Sequence, residues 1–436
     1  MPIPEVHIHR PPFPGVAIVD QNGLHLGTSL DPLVVTQTSS GSTAERDAFG
    51  RFRVSSPITL FSGKNELNPA VYTDKWTMNV VGTGLSTHLP NESAVSHSVT
   101  ALGDVAEQTS HHYIPYEPGI SQLGFFTGIL NHGTATAQSD IGLFDANDGV
   151  MFRCGATESV VVRGSMTGTP VENIIPRAAW DDPLDGTGAS GLTIDFTKTQ
   201  IMVVDFEWLG VGVVRFGVSI GNSVVYCHTI DNANSITTVY MKSGTLPVTY
   251  RIEAITAGAA SIKQICSTVK AEGGAGTQRF GLGQHIVTNS VGAIAAIGIM
   301  TPIISIQVKS QLPLLSGQFN RNNIVPIDLD LMSLNKEIEW GAYLNATLTG
   351  AVFTDAGADD GVMVDVAATA MTTIGARRIA GGTASKKTSL TAEILDFLNP
   401  LSVNRFTNVG DILTIAALGL VQASTCVGSI TWKELR

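Results

Sequence analysis

This sequence carries little charge. Only 14% of its 436 residues are Asp, Glu, Lys or Arg, against roughly a quarter in an average soluble protein. The acidic groups outnumber the basic ones, 37 to 26, for a formal net charge of −11. Phosphate backbones are bound by clustered Lys and Arg, and here the basic pairs Arg377-Arg378 and Lys386-Lys387 stand isolated. A nucleic-acid partner is therefore not expected. Cysteine is scarcer still. Cys154, Cys227, Cys266 and Cys426 lie far apart without a CxxC pair, which leaves a zinc or redox motif unsupported. They read as buried free thiols, the state expected of a chain completed in a reducing cytoplasm.

Long apolar runs are also missing. "VGAIAAIGIMTPIISI" (291–306) is too short for a membrane helix and is interrupted by Pro302, so it reads as buried strand and no membrane partner is expected. The N-terminal MPIPEVHIHRPPFPG has no basic region followed by an apolar core, unlike a signal peptide.

What is abundant is turn-forming and β-branched. The chain carries 45 glycines and 19 prolines, with many Val, Thr and Ile, a mixture that suits short strands joined by tight turns. Five of the first fifteen residues are proline, so residues 1–56 are expected to form an extended arm. From 57 to 270, strand signals recur with turns between them. "GLFDANDGVMFR" (142–153) reads as a hairpin turning at Asn147, Asp148 and Gly149. An EF-hand would need Glu at the twelfth position from Asp145, which is Ala156. "VVYCHTI" (224–230), "TTVYMKSG" (237–244) and "VTYRIEAITAG" (248–258) follow as strands. Residues 271–300 read as a glycine-rich linker and buried strand, and 301–436 as a second sandwich-like domain. One helix is expected over 389–400, where Leu390, Ile394 and Leu398 share a face and Pro400 stops it. The fold class is all-β: two jelly-roll or β-sandwich-like domains, an extended arm, and at most one or two short helices.

"DFEWLGVGVVRFGVSI" (205–220) fails as a dinucleotide or phosphate loop, because the glycine spacing is wrong and no Lys-Ser/Thr pair follows. It reads instead as a hairpin. Phe206 opposite Phe216 would place Glu207 opposite Arg215, with Gly210-Val211-Gly212 as the turn.

Other candidate chemistry is weighed and set aside. Glu337 and Glu339 beside Trp340, and Asp181, Asp182 and Asp185, are carboxylate groups that a glycosidase could use. A solvated strand face and a capped turn explain them as well. The Asp/Gly loop 355–361 reads as a turn in preference to a calcium site. His7, His9 and the pair His111-His112 lack partners at ligand spacing. No catalytic, cofactor-binding or metal residue is assigned, no cofactor is implied, and the chain is not expected to be an enzyme.

Several phrases together resemble a family of tailed-bacteriophage virion structural proteins: "DAFGRFRVSSPITLF" (47–61), "GLFDANDGVMFR", "WLGVGVVRFG" (208–217), "KAEGG" (270–274), and "GDILTIAALGL" followed by "ITWKELR". The resemblance implies a component of the virion on the head, neck or tail, and carries no catalytic motif. The resulting expectation is a structural protein that assembles with copies of itself, a homotrimer first, and with other virion proteins. A module recognising host surface glycan is the alternative. A glycan-degrading enzyme stands third and would need two carboxyls about 5–10 Å apart in a cleft.

Overall fold

The structure, a computed structural model, describes residues 7–9, 17–19, 25–26, 47–48, 57–131, 133–221, 223–273, 282–287, 293–312, 319–357, 360–384, 389–393 and 399–435. The chain divides into two compact units, residues 1–42 and 43–436. In the first, His7–His9, Ala17–Val19 and His25–Leu26 pair as a three-stranded antiparallel sheet.

The second unit is all-β, with every ladder between its strands antiparallel. Among the described residues, helical geometry is confined to two single 3-10 turns, Pro90–Glu92 and Arg177–Ala179. Two lobes follow one another. In the first, a seven-stranded sheet runs Val171–Pro176, Glu158–Gly164, Gly149–Cys154, Ala137–Phe144, Val248–Ala254, Val105–Ser110 and Trp76–Val81. The opposing sheet runs Ser223–Asp231, Val213–Ile220, Gln200–Phe206, Gln122–Ile129, Ala260–Ala271, Ala94–Val99 and Leu85–Leu89. Ile58–Lys64 adds to the long strand Ala260–Ala271. Alternate residues of both sheets, among them Ile141, Phe152, Tyr250, Val204 and Phe216, meet in one core, as period-2 strands packed face to face require.

The second lobe repeats the sandwich at smaller scale. The C-terminal strand Ser424–Leu435 pairs with Asn323–Ser333, Leu282–Val287 and Ala293–Ala295. A six-stranded sheet centred on Thr301–Val308, Ile412–Gly419 and Ile338–Leu344 covers it. Ile304, Leu329, Trp340, Ile415 and Trp432 fill the space between.

Three local expectations are corrected. The helix over 389–400 is replaced, at Ser389–Glu393, by a strand paired with Asp328–Met332. A free ladder edge overrides a weak 3.6-residue pattern. Residues 394–398 of that expectation lie outside the described ones. Residues 237–244 form no strand. Their backbone is drawn to loops instead, with Tyr240 N donating to Gly210 O at 2.9 Å and Lys242 N to Asp148 Oδ1 at 2.9 Å. The run 291–306 holds the short strand Ala293–Ala295 and the first six residues of the strand Thr301–Val308. Between them Ile297 and Ile299 are exposed.

The hairpin at 205–220 forms, two residues out of the expected register. Phe206 pairs with Val214 and Asp205 with Arg215, so the acid facing Arg215 is Asp205 and not Glu207. The apolar face survives because a shift of two keeps every side chain on its own side. The buried polar groups decide the register. Asp205 accepts from Ser121 Oγ at 2.8 Å and from Tyr226 OH at 2.7 Å, besides its ion pair with Arg215. The turn is correspondingly longer, and Gly210 occupies it at φ 79°, a region where a Cβ costs energy.

Candidate functional site

The outward face of the seven-stranded sheet carries the site. Cross-strand register places Glu107 beside Arg251, Arg251 beside Asp140, and Asp140 beside Arg153. Four adjacent strands therefore present carboxylate and guanidinium alternately. Nothing in each strand alone reveals this row, since each contributes a single member to it.

The row is closed on itself. Arg153 donates to Asp140 at 2.7 Å and to Glu172 at 2.5 Å, and Arg163 donates to Glu172 at 2.7 Å. Hydrogen bonds from these two guanidinium groups hold the Glu172 carboxyl down at about 2 against the opposing effect of burial. Arg251 donates to Glu253 at 2.7 Å and lies 3.8 Å from Glu107.

The second lobe covers part of this face and leaves a cleft of about 670 Å³. From that lobe Arg405 pairs with Glu107 and donates to Phe144 O at 3.2 Å. Burial lowers its guanidinium to about 9, so it keeps its charge at neutral pH. Arg321 reaches Asp145 at 2.6 Å and Asp148 at 2.9 Å in the hairpin turn 145–148. That turn is built by Asp145 itself, whose Oδ1 accepts from the backbone of Asn147 and Asp148 at 2.8 and 2.9 Å. Rings from both lobes border the cleft: Tyr113 and Phe144, both buried, from the first, and the half-buried Phe319 and Phe406 from the second. Phe319 packs against Tyr113 at 5.6 Å between centroids, and Arg405 lies 4.7 Å over Phe406.

A second cleft of about 690 Å³ opens elsewhere along the lobe boundary, beside Trp76, Met78, Leu348 and Phe353. His111 crosses it. Its Nε2 meets Asp411 Oδ2 at 2.7 Å, and its Nδ1 meets Thr77 Oγ1 at 2.9 Å. Burial alone would lower the imidazole pKa, but the Asp411 carboxylate outweighs it and the net shift is upward. The neighbouring His112 has no such partner, and burial pulls it down to about 4.

The carboxylates raised by sequence lie outside the lining of the inter-lobe cleft. Trp340 is buried in the second core. Glu339 pairs with Arg378 at 3.2 Å, and Glu337 lies exposed before that strand. Asp182 caps its loop through Leu184 N and Ser190 N at 3.0 and 2.7 Å. Asp185 makes a local turn with Thr187, and Asp181 accepts from Thr229 N at 2.9 Å. In the loop 355–361, Asp355 pairs with Lys309 at 3.1 Å, and residues 358–359 lie outside the described ones. Among the described residues no group of three metal-ligating side chains converges. His7 and His9 belong to the small N-terminal sheet. The residues that line the cleft were visible in the sequence only by parity. Arg251 and Glu253 alternate with the apolar face of their strand, and Arg153 ends the 142–153 hairpin.

No protein-family model matches the chain, and no curated protein does. Solved structures do. A glycosyl hydrolase family 16 protein from Mycobacterium smegmatis is 12% identical, with 48% of this chain and 99% of that one covered, at a TM-score of 0.34. A β-glucanase from Bacillus licheniformis is 10% identical over 49% and 99%, at 0.32. A β-1,3-glucanase from Mycobacterium marinum is 13% identical over 49% and 100%, at 0.32. The expectation that the chain is not an enzyme is corrected accordingly: these three solved structures carry enzyme names, and its exclusion from that class is withdrawn. At these scores no residue role passes from those proteins to this one.

Proposed function

We propose that the chain is a glycan-binding component of a tailed-phage particle, with the cleft between its lobes as the binding site. The observation that carries the glycan reading is the cleft itself. The half-buried rings of Phe319 and Phe406 stand beside carboxylate–guanidinium pairs, with the buried Tyr113 and Phe144 behind them, so that apolar ring surface and a dense set of donors and acceptors border one space of about 670 Å³. Sugars offer the same alternation, apolar C–H faces and hydroxyls that both donate and accept. The particle part of the reading rests on the resemblance of the phrases between residues 47 and 436 to virion proteins. Attachment to capsid, neck or tail proteins is part of the same proposal.

Titration of the full chain with a panel of bacterial surface oligosaccharides, followed by calorimetry, tests it. Saturable binding that is lost by at least about tenfold in Phe406→Ala, with unchanged thermal stability, is the expected result. Binding unaffected by Phe406→Ala would remove the cleft from the proposal.

Assembly with copies of itself has one supporting observation. Ile294, Ile297, Ile299, Leu420 and Val421 are all exposed around the second lobe's turns 296–300 and 420–423, a grouping that covered surfaces use more than bare ones.

A further inference from the structure

We propose that the inter-lobe cleft takes a neutral oligosaccharide and rejects acidic ones, an inference that rests on the glycan reading above. Among the described residues the lining holds four guanidinium groups and four carboxylates, so their formal charges cancel. Each cation is already committed. Arg153 and Arg163 share Glu172, Arg251 holds Glu253, and Arg405 holds Glu107. Asp145, the fourth lining carboxylate, is answered from behind the wall by Arg321, which also holds Asp148, and Asp140 is a further partner of Arg153. Among the described residues no surplus cation is left for a ligand carboxylate or sulfate.

An acidic sugar would have to displace one of these carboxylates from its arginine or enter beside it unpaired. Both leave a charge without a partner in a half-buried space, which is costly. A neutral hydroxyl faces neither cost. It can donate to an outer carboxylate oxygen while accepting from the adjoining N–H, and the ion pair stays intact. The cleft discriminates by what it would leave unpaired.

The test uses the full chain and two oligosaccharides of the same length and linkage, one of neutral hexose and one of the corresponding uronic acid. Calorimetry is expected to give saturable binding of the neutral ligand and binding at least about tenfold weaker for the acidic one. Raising the salt concentration is expected to leave the neutral affinity unchanged. Glu253→Gln removes the charge of Arg251's 2.7 Å partner, leaves Arg251 with Glu107 at 3.8 Å, and adds one net positive charge. Glu253 is partly exposed, so the variant folds, and the neutral-to-acidic ratio is expected to shrink by about tenfold. Equal or tighter binding of the uronic ligand by the unmodified chain would overturn this inference and leave the glycan reading standing. A ratio unmoved by Glu253→Gln would also overturn it. Binding of neither ligand would remove the glycan reading, and this inference with it.

Discussion

At the scale of single residues, the most consequential groups are histidines removed from water. His97 and His112 are both buried, and desolvation lowers each from 6.5 to about 4. The native state therefore holds them neutral, while the unfolded chain protonates them below about 6.5. Their contribution to stability is full above 6.5 and is lost progressively as the pH falls towards 4. His111 has the opposite sign. Its pKa is raised by Asp411, so its stabilisation is full below 6.5 and fades as the pH rises through its folded value. Asp411, lowered by His111 against the effect of burial, contributes above the ordinary carboxylate range and loses that contribution on strong acidification. Thermal melts of the unmodified chain are expected to drop between pH 6.5 and 4. His111→Gln is expected to cost about 3 kcal/mol or more at pH 6 and less at pH 9. A cost that grows with pH would contradict the ion pair.

At the scale of elements, the strand pair Gln200–Phe206 and Val213–Ile220 illustrates how register is chosen. Two registers differing by two residues keep Met202, Val204 and Phe206 in the core, so hydrophobic patterning cannot separate them. Polar satisfaction can. Asp205 is fully buried and is met by Ser121, Arg215 and Tyr226, the last two also stacked as a cation over a ring at 4.5 Å. Arg215→Met is expected to destabilise by about 3–5 kcal/mol in denaturant titrations, because it strands a buried carboxylate. Glu207→Gln is expected to stay within about 1 kcal/mol. Similar costs for both would restore the shorter turn. The same logic accounts for the strand at Ser389–Glu393: a neighbour's unpaired backbone is a stronger claim than three apolar residues at helical spacing.

At the scale of the whole molecule, the lobes are joined by charge. Arg405–Glu107, Arg321–Asp145/Asp148, His111–Asp411 and Arg377–Asp74 all cross the boundary, and Asn323 Nδ2 adds a hydrogen bond to Tyr113 O at 2.6 Å. Partners drawn from both lobes couple their stabilities. Calorimetry is expected to record residues 43–436 melting in one transition. Replacing Arg321 and Arg405 together with Met is expected to split it in two and to abolish ligand binding at the cleft. A double variant that still melts once would mean that apolar contacts alone unite the lobes.

By itself the sequence determined the strand-rich class, the inward faces of most strands, and the hairpins at 142–153 and 205–220. These follow from period-2 patterning and local turn chemistry, which neighbouring residues carry. Tertiary structure alone decided which strands adjoin. It set Glu107, Arg251, Asp140 and Arg153 in one row, brought Arg405 and Phe406 over them, and gave Arg215 to Asp205. Those pairings join residues as much as about 300 positions apart, and a buried charge selects its partner by distance in space, for which a linear pattern holds no record.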